Sequence, residues 1–188
     1  LVGESGSGKT STALSLLRLA GDAQQGGQAL FDGRDLLRLP EREMRAVRGG
    51  DVAMIFQEPM TALNPLMTVG EQVGEVLRLK QGLTRAQSLA QAAELLATTG
   101  IAEPVRRARA FPHQLSGGQR QRAMIAMALA SSPRLLLADE PTTALDVTLR
   151  GQILQLLDDL QRQTGMAVLM ITHDLHLVRR FADRVAVM

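Results

Sequence analysis

With 188 residues, 45% of them hydrophobic and 21% charged, the chain is long enough for one domain with a buried core. Its 21 basic residues nearly balance 19 acidic ones, and four Phe without Trp or Tyr supply no stacking platform for bases, so no nucleic-acid partner is expected. Cysteine is absent, which excludes disulfides, thiolate metal sites and cysteine nucleophiles; no signal peptide is visible and no apolar run reaches the roughly 20 residues of a membrane-spanning helix, a cytoplasmic character.

The first segment, "GESGSGKT" at 3–10, has the spacing G-x-x-x-x-G-K-[ST] of a phosphate-binding loop. Gly3, Gly6 and Gly8 let successive backbone N–H groups turn toward one anion, Lys9 adds a charge, and the Thr10 hydroxyl is a ligand for Mg²⁺. A chance glycine-rich cap is the plain alternative. The strand-like "LV" before the loop and the periodic helix after it, Thr10 to Ala20 with Gly21 as its stop, argue against it.

"QALFDGRDL" (28–36) predicts a strand with a turn at Asp32-Gly33, and "DVAMIFQ" (51–57) an apolar strand ending at Gln57. Gln57 is either an ordinary polar strand end or an amide touching metal or water. "EPMTALNPLM" (58–67) is loop chemistry. Thr68 and Glu71, then Thr84 and Gln87, have the capping-box spacing at two helix starts. The first helix carries Val69, Val73, Val76 and Leu77 on one face; the second carries apolar Ala86, Leu89, Ala90, Ala93, Leu96 and Ala97. Arg106, Arg107 and Arg109 read as a solvated surface.

"LSGGQRQR" (115–122) opens a nearly all-apolar, hence buried, helix. Ser116 and Gln119 form another capping box that needs no ligand, whereas Gly117 and Gly118 weaken a first turn unless something approaches the backbone closely. "RLLLADE" (134–140) predicts a parallel strand buried on both faces that delivers Asp139 and Glu140 to the sheet's carboxyl edge, where open α/β sheets bind ligands. There Asp139 would hold Mg²⁺, and Glu140 would orient or deprotonate a water. Ile153, Leu156, Leu157 and Leu160 mark a helix stopped by Gly165, and "MAVLMITHD" (166–174) a second buried strand with His173 at its end. His113 and His176 have no such position and read as structural. "LV" and "DRVAVM" at the two ends both read as pieces of strand, so the domain is expected to extend on both sides.

The ordered set "GESGSGKT", Gln57, "LSGGQ", "LLLADE", "ALD" (144–146) and His173 resembles the nucleotide-binding domain of ABC ATPases over essentially the whole chain. "MIFQEPMTALNPLMTVGEQV", "PHQLSGGQRQRAMIAMALA" and "ADEPTTALDVTLRGQIL" are similar to the ATP-binding subunits of dipeptide and oligopeptide importers, with the microcin C type particularly close. The resemblance implies an α/β fold, a P-loop NTPase (RecA-like) parallel-sheet core at 1–65 and 132–188, truncated at both ends, with an inserted helical subdomain at 66–131. It implies ATP hydrolysis with Mg²⁺. Gly3, Glu4, Ser5, Gly6, Ser7, Gly8, Lys9, Thr10 and Ser11 would bind the nucleotide in cis; Thr10, Gln57 and Asp139 would face the metal; Glu140, His173 and Gln57 would be catalytic.

Ser116, Gly117, Gly118 and Gln119 would bind the ATP of a second such domain in a head-to-tail dimer, with Asp146 at the interface. Further implied partners are membrane permeases, received by the helical insert and the loop after Gln57, and indirectly a peptide-binding protein, which places the chain peripherally on the cytoplasmic face of the membrane. A non-transport ABC ATPase acting on nucleic acid or ribosomes is the alternative. It is disfavoured by the lack of a coiled-coil insert and of zinc cysteines.

Overall fold

The computed structural model describes residues 1–21, 26–58, 62–143 and 145–188. Pro59, Met60 and Thr61 of the loop after Gln57, Ala144 of "ALD", and the side chain of His176 lie outside that description. In chain order the elements are α1 (Lys9–Leu16), β1 (Leu30–Phe31), β2 (Arg34–Asp35), α2 (Glu41–Val47) and β3 (Val52–Ile55). Then come α3 (Val69–Gln81), α4 (Arg85–Thr98), α5 (Pro104–Ala108), a 3₁₀ turn (Pro112–Gln114) and α6 (Gly117–Leu129). β4 (Leu135–Asp139), α7 (Val147–Thr164), β5 (Ala167–Ile171) and α8 (Leu175–Phe181) complete the chain.

β3, β4 and β5 form a parallel sheet in that order, with Ile55 beside Ala138 and Asp139 beside Ile171 at the carboxyl edge. Side chains alternate across it, as strand geometry requires. Val52, Leu137 and Ile171 face Ala13 and Leu17 of the α1 segment and Met44 and Val47 of α2. Ala53, Ile55 and Leu136 face Met124, Ile125, Ala128 and Leu129 of α6 and Ile153, Leu157 and Leu160 of α7. A parallel sheet covered on both faces by helices is the expected α/β arrangement.

A third apolar core joins α3, α4 and α5: Val69, Val73, Leu77, Ala92, Leu96 and Ala108 pack with Ala123 and Ala126 of α6 and Ala130 just after it. α6 is therefore shared, one stripe lying on the sheet and the other on the helices, which is why it is apolar nearly all round.

Local signals place most boundaries. Asp32 and Gly33 both take positive φ (49° and 73°) in the β1–β2 turn, as a two-residue hairpin requires. Thr84 and Ser116 form complete capping boxes with Gln87 and Gln119. Thr68 caps α3 through the Glu71 N–H, but the Glu71 carboxylate does not return to the cap; it binds Arg85 and Arg78 instead, so only half of that expected box forms.

Four expectations need correction. α1 ends at Leu16 rather than Ala20, because Arg18 turns left-handed (φ 54°) and its guanidinium donates to the Leu39 carbonyl at 2.6 Å. On α4 the buried stripe is Ser88, Ala92, Ala93 and Leu96; Ala86, Ala90 and Ala97 are exposed, since Arg78 donates to Ser88 Oγ (3.0 Å) and turns that polar residue inward. β5 is only half-buried, with Ala167 exposed, because beyond it the sheet continues among the described residues only as isolated bridges, Val2 with Thr172 and Val2 with Val187. Of the solvated arginines, Arg106 and Arg109 are exposed as expected, Arg106 pairing with Glu103 at 3.0 Å, but Arg107 is half-buried.

Candidate functional site

The loop at 3–10 curls through Gly6 (φ 82°) and Gly8 (φ 95°), left-handed conformations that glycine adopts without penalty. Gly8 is the N-cap of α1 and provides no side-chain cap, whereas α3, α4, α6 and α7 are each capped by a Thr, Ser or Asp oxygen. The start of α1 thus keeps its N–H groups and positive dipole end for an outside anion. Lys9 is 5% exposed; its Nζ donates to the carbonyls of Gly3 (3.0 Å) and Glu4 (2.7 Å) and approaches Ser7 Oγ (3.3 Å). The loop's own oxygens hold this cation beside the amides. Glu4, Ser5 and Ser11 are exposed around it.

The carboxyl edge of the sheet lies next to the loop. Thr10 Oγ1, on the first turn of α1, donates to Asp139 Oδ1 at 3.2 Å, joining two of the three residues expected to face the metal. Burial pushes the Asp139 carboxyl above its usual range; the Thr10 hydrogen bond opposes this, the Glu140 charge reinforces it, and Lys9 opposes it. A hydroxyl and a buried carboxylate side by side are hard oxygen donors of the kind Mg²⁺ takes when it keeps most of its water. With the uncapped helix start and Lys9, they fit a Mg²⁺-bound polyphosphate.

Glu140, the residue after β4, has φ 44°, left-handed and strained for a non-glycine residue. Three side chains converge on its carboxylate. Oε2 accepts from Thr143 Oγ1 (2.8 Å) and Gln57 Nε2 (3.3 Å), and Oε1 lies 3.1 Å from His173 Nδ1. Burial raises this carboxyl's pKa, but the Thr143 and His173 hydrogen bonds and the charges of His173 and Lys9 outweigh it and hold the group below its ordinary value. A carboxylate kept ionised, oriented and three residues' side chains deep in donors can take a proton from water.

Gln57 reaches this cluster through Glu140 and not through the Thr10–Asp139 pair, so of the three residues read as metal-facing only two meet directly. Thr143 was not singled out from the sequence, although its position three residues after Glu140 is the spacing of a turn. That signal was available in "DEPTT".

The second glycine pair has a more divided account. Ser116 Oγ accepts from the Gln119 N–H (3.3 Å) and Gln119 Oε1 accepts from the Ser116 N–H (3.1 Å). Helix geometry leaves the Gly117 and Gly118 N–H groups without intrahelical partners. A Cβ at Gly118 would lie 3.1 Å from Leu149 of α7, so internal packing already explains that glycine; a Cβ at Gly117 would meet nothing within 4 Å. Asp146 N-caps α7 through the Leu149 N–H (2.9 Å), which ties it to the same contact.

The sequence matches the family model described as "ABC transporter" over residues 1–143. It is 61% identical to the peptidoglycan transport ATP-binding protein YejF of Agrobacterium fabrum and 51% identical to the oligopeptide transport ATP-binding protein OppD of Salmonella typhimurium. Both matches cover 100% of this chain, but only 35% and 56% of those proteins, so the chain spans about half their length or less. The fold superposes, with a TM-score of 0.86 and 34% identity over 100% of this chain and 78% of the other, on the dimeric post-hydrolysis ATP-binding cassette MJ0796 bound to ADP and Pi. No helix among the described residues is long and apolar enough to cross a membrane. With the family match extending over well more than half of its residues, the chain belongs to the ABC transporter family.

Proposed function

We propose that the chain binds and hydrolyses ATP and couples that reaction to uptake of di- or oligopeptides through membrane permease partners. The observation that carries the hydrolysis is the Glu140 carboxylate held by Thr143, Gln57 and His173 beside the Thr10–Asp139 pair and Lys9. The transport part is supported by the similarity to OppD and YejF, whose names describe oligopeptide and peptidoglycan transport.

In this reading the 3–11 loop and α1 start cradle the phosphates, and Lys9 neutralises their charge. Thr10 and Asp139 would hold Mg²⁺, which would neutralise charge developing on the phosphate oxygens. Glu140 takes a proton from the attacking water, His173 and Gln57 keep the carboxylate aimed, and the residues 1–65 and 132–188 act as the catalytic core. The helices of 66–131 carry Ser116, Gly117, Gly118 and Gln119 to the ATP of a second domain, with Asp146 near that junction. The same helices, with the loop after Gln57, receive the permease at the cytoplasmic face of the membrane. The dimeric state described for MJ0796 supports the pairing. No observation favours the nucleic-acid alternative.

The test is phosphate release and peptide uptake by the full-length protein reconstituted with its permeases in vesicles. Wild type should couple Mg²⁺-dependent ATP hydrolysis to uptake, and Glu140→Gln should lose at least about 100-fold of the turnover, as expected when a general base is removed. Turnover that survives Glu140→Gln would refute the assignment of the base.

A further inference from the structure

The Glu140 carboxylate offers about four lone-pair sites. Oε2 uses two of them, on Thr143 Oγ1 and Gln57 Nε2; among the described residues Oε1 meets only His173 Nδ1. The donors differ in origin. Gln57 and His173 come from the ends of β3 and β5, 83 and 33 residues away in sequence, and both are exposed. Thr143 belongs to the same turn as Glu140: its N–H donates to the Glu140 carbonyl (3.2 Å) while its hydroxyl makes the shortest of the three contacts, 2.8 Å. The turn is anchored on its other side, where the Glu140 N–H donates to the Ile171 carbonyl at 3.0 Å. Any movement of the loops bearing Gln57 or His173 changes their contacts with the carboxylate, whereas the Thr143 contact travels with Glu140.

We infer that Thr143 is a positioning residue for the hydrolysis proposed above, on which this inference rests: its hydroxyl fixes Oε2, and leaves Oε1 as the atom that receives the proton. In the step, the water oxygen bonds to the γ-phosphorus, its proton passes to Oε1, and the bond from phosphorus to the β–γ bridging oxygen breaks, that oxygen leaving with ADP. The left-handed backbone of Glu140 sets the turn in which Thr143 lies, and from there the hydroxyl tethers the Glu140 carboxylate at 2.8 Å.

The experiment measures phosphate release against Mg-ATP concentration for the full-length protein with its permeases, as wild type, Glu140→Gln, Thr143→Val, Thr143→Ala and Thr143→Ser. Loss of one charge-assisted hydrogen bond to the base should lower kcat about tenfold in Thr143→Val and Thr143→Ala, with KM for ATP changed less than about twofold. Thr143→Ser, which keeps the hydroxyl, should return kcat to within about threefold of wild type. Thr143 is exposed, so all three should melt near the wild-type temperature.

Wild-type kcat in Thr143→Val and Thr143→Ala, a Thr143→Ser variant as impaired as they are, a loss confined to KM, or a kcat loss that follows a fall in melting temperature would each overturn the inference while leaving the ATPase reading intact. Absence of turnover in the wild type itself would overturn that reading and this inference together.

Discussion

Gly117 and Gly118 share the first turn of α6 yet answer to different neighbours. Gly118 lies against Leu149, whose methyl carbons would stand 3.1 and 3.3 Å from an added Cβ, while Gly117 opens on free space. Gly118→Val should therefore cost about 1–3 kcal/mol in urea denaturation, the usual penalty of overpacking. Gly117→Asp should stay within about 0.5 kcal/mol of wild type, since an acid in a first helical turn is tolerated, and should still abolish ATP-driven pairing.

The residues of the site were legible in the sequence to the extent that chemistry tied type to spacing. Lys9, Thr10, Asp139, Glu140 and His173 gather at the loop and the sheet's carboxyl edge, with Gln57 joining through Glu140 and not through the Thr10–Asp139 pair. Thr143 was missed because its role depends on a backbone angle, the left-handed φ of Glu140, that neither composition nor periodicity records. Gly118 also has a packing role that its spacing does not record, since Leu149 approaches it from 31 residues away through the fold alone.

Among the elements, the α3–α4 pair is fastened by Glu71. Its carboxylate accepts from Arg85 Nε at 2.9 Å and from Arg78 at 3.4 Å, and Arg78 continues to Ser88. The Arg85 hydrogen bonds, with the charges of Arg85 and Arg78, outweigh a smaller opposing effect of burial and hold the Glu71 carboxyl below its ordinary range. A carboxyl depressed by folding stabilises the protein above its unfolded pKa and loses that contribution as pH falls through the folded one. Unfolding free energy should thus decline below about pH 4.5, and Glu71→Gln should remove that part of the decline, under about 1 kcal/mol because Arg85 is solvent-exposed. Urea titrations from pH 3 to pH 7 read it directly.

Elements defined by their own ends were predictable: the Asp32-Gly33 hairpin, the caps at Thr84 and Ser116, the stop at Gly165. Those set by distant partners were not. α1 stops early because Arg18 reaches Leu39; α4 rotates because Arg78 claims Ser88; β5 gains less cover than its apolar run suggests because among the described residues it has a full strand on one side and only isolated bridges on the other. α2 carried only a weak signal, a proline followed by Glu41 and Glu43, and went unread.

At the scale of the molecule, α6 couples the parts. One stripe of it lies on the sheet that carries Asp139 and Glu140, another lies in the core of α3, α4 and α5, and its start presents Gly117 outward. In the proposed dimer, a shift of the helical block would reach the sheet and the exposed turn together through this helix. The uncapped start of α1 and the exposed Gly117 at the capped start of α6 would both find a use if each completed a site with a second copy or homologous domain. The central claim is that ATP is held between two such domains. It is tested most directly by light scattering on the full-length Glu140→Gln protein during size exclusion with Mg-ATP. The account predicts a stable mass corresponding to paired ATP-binding domains with ATP, lost with ADP or with Gly117→Asp added; an unchanged mass on adding ATP would contradict it.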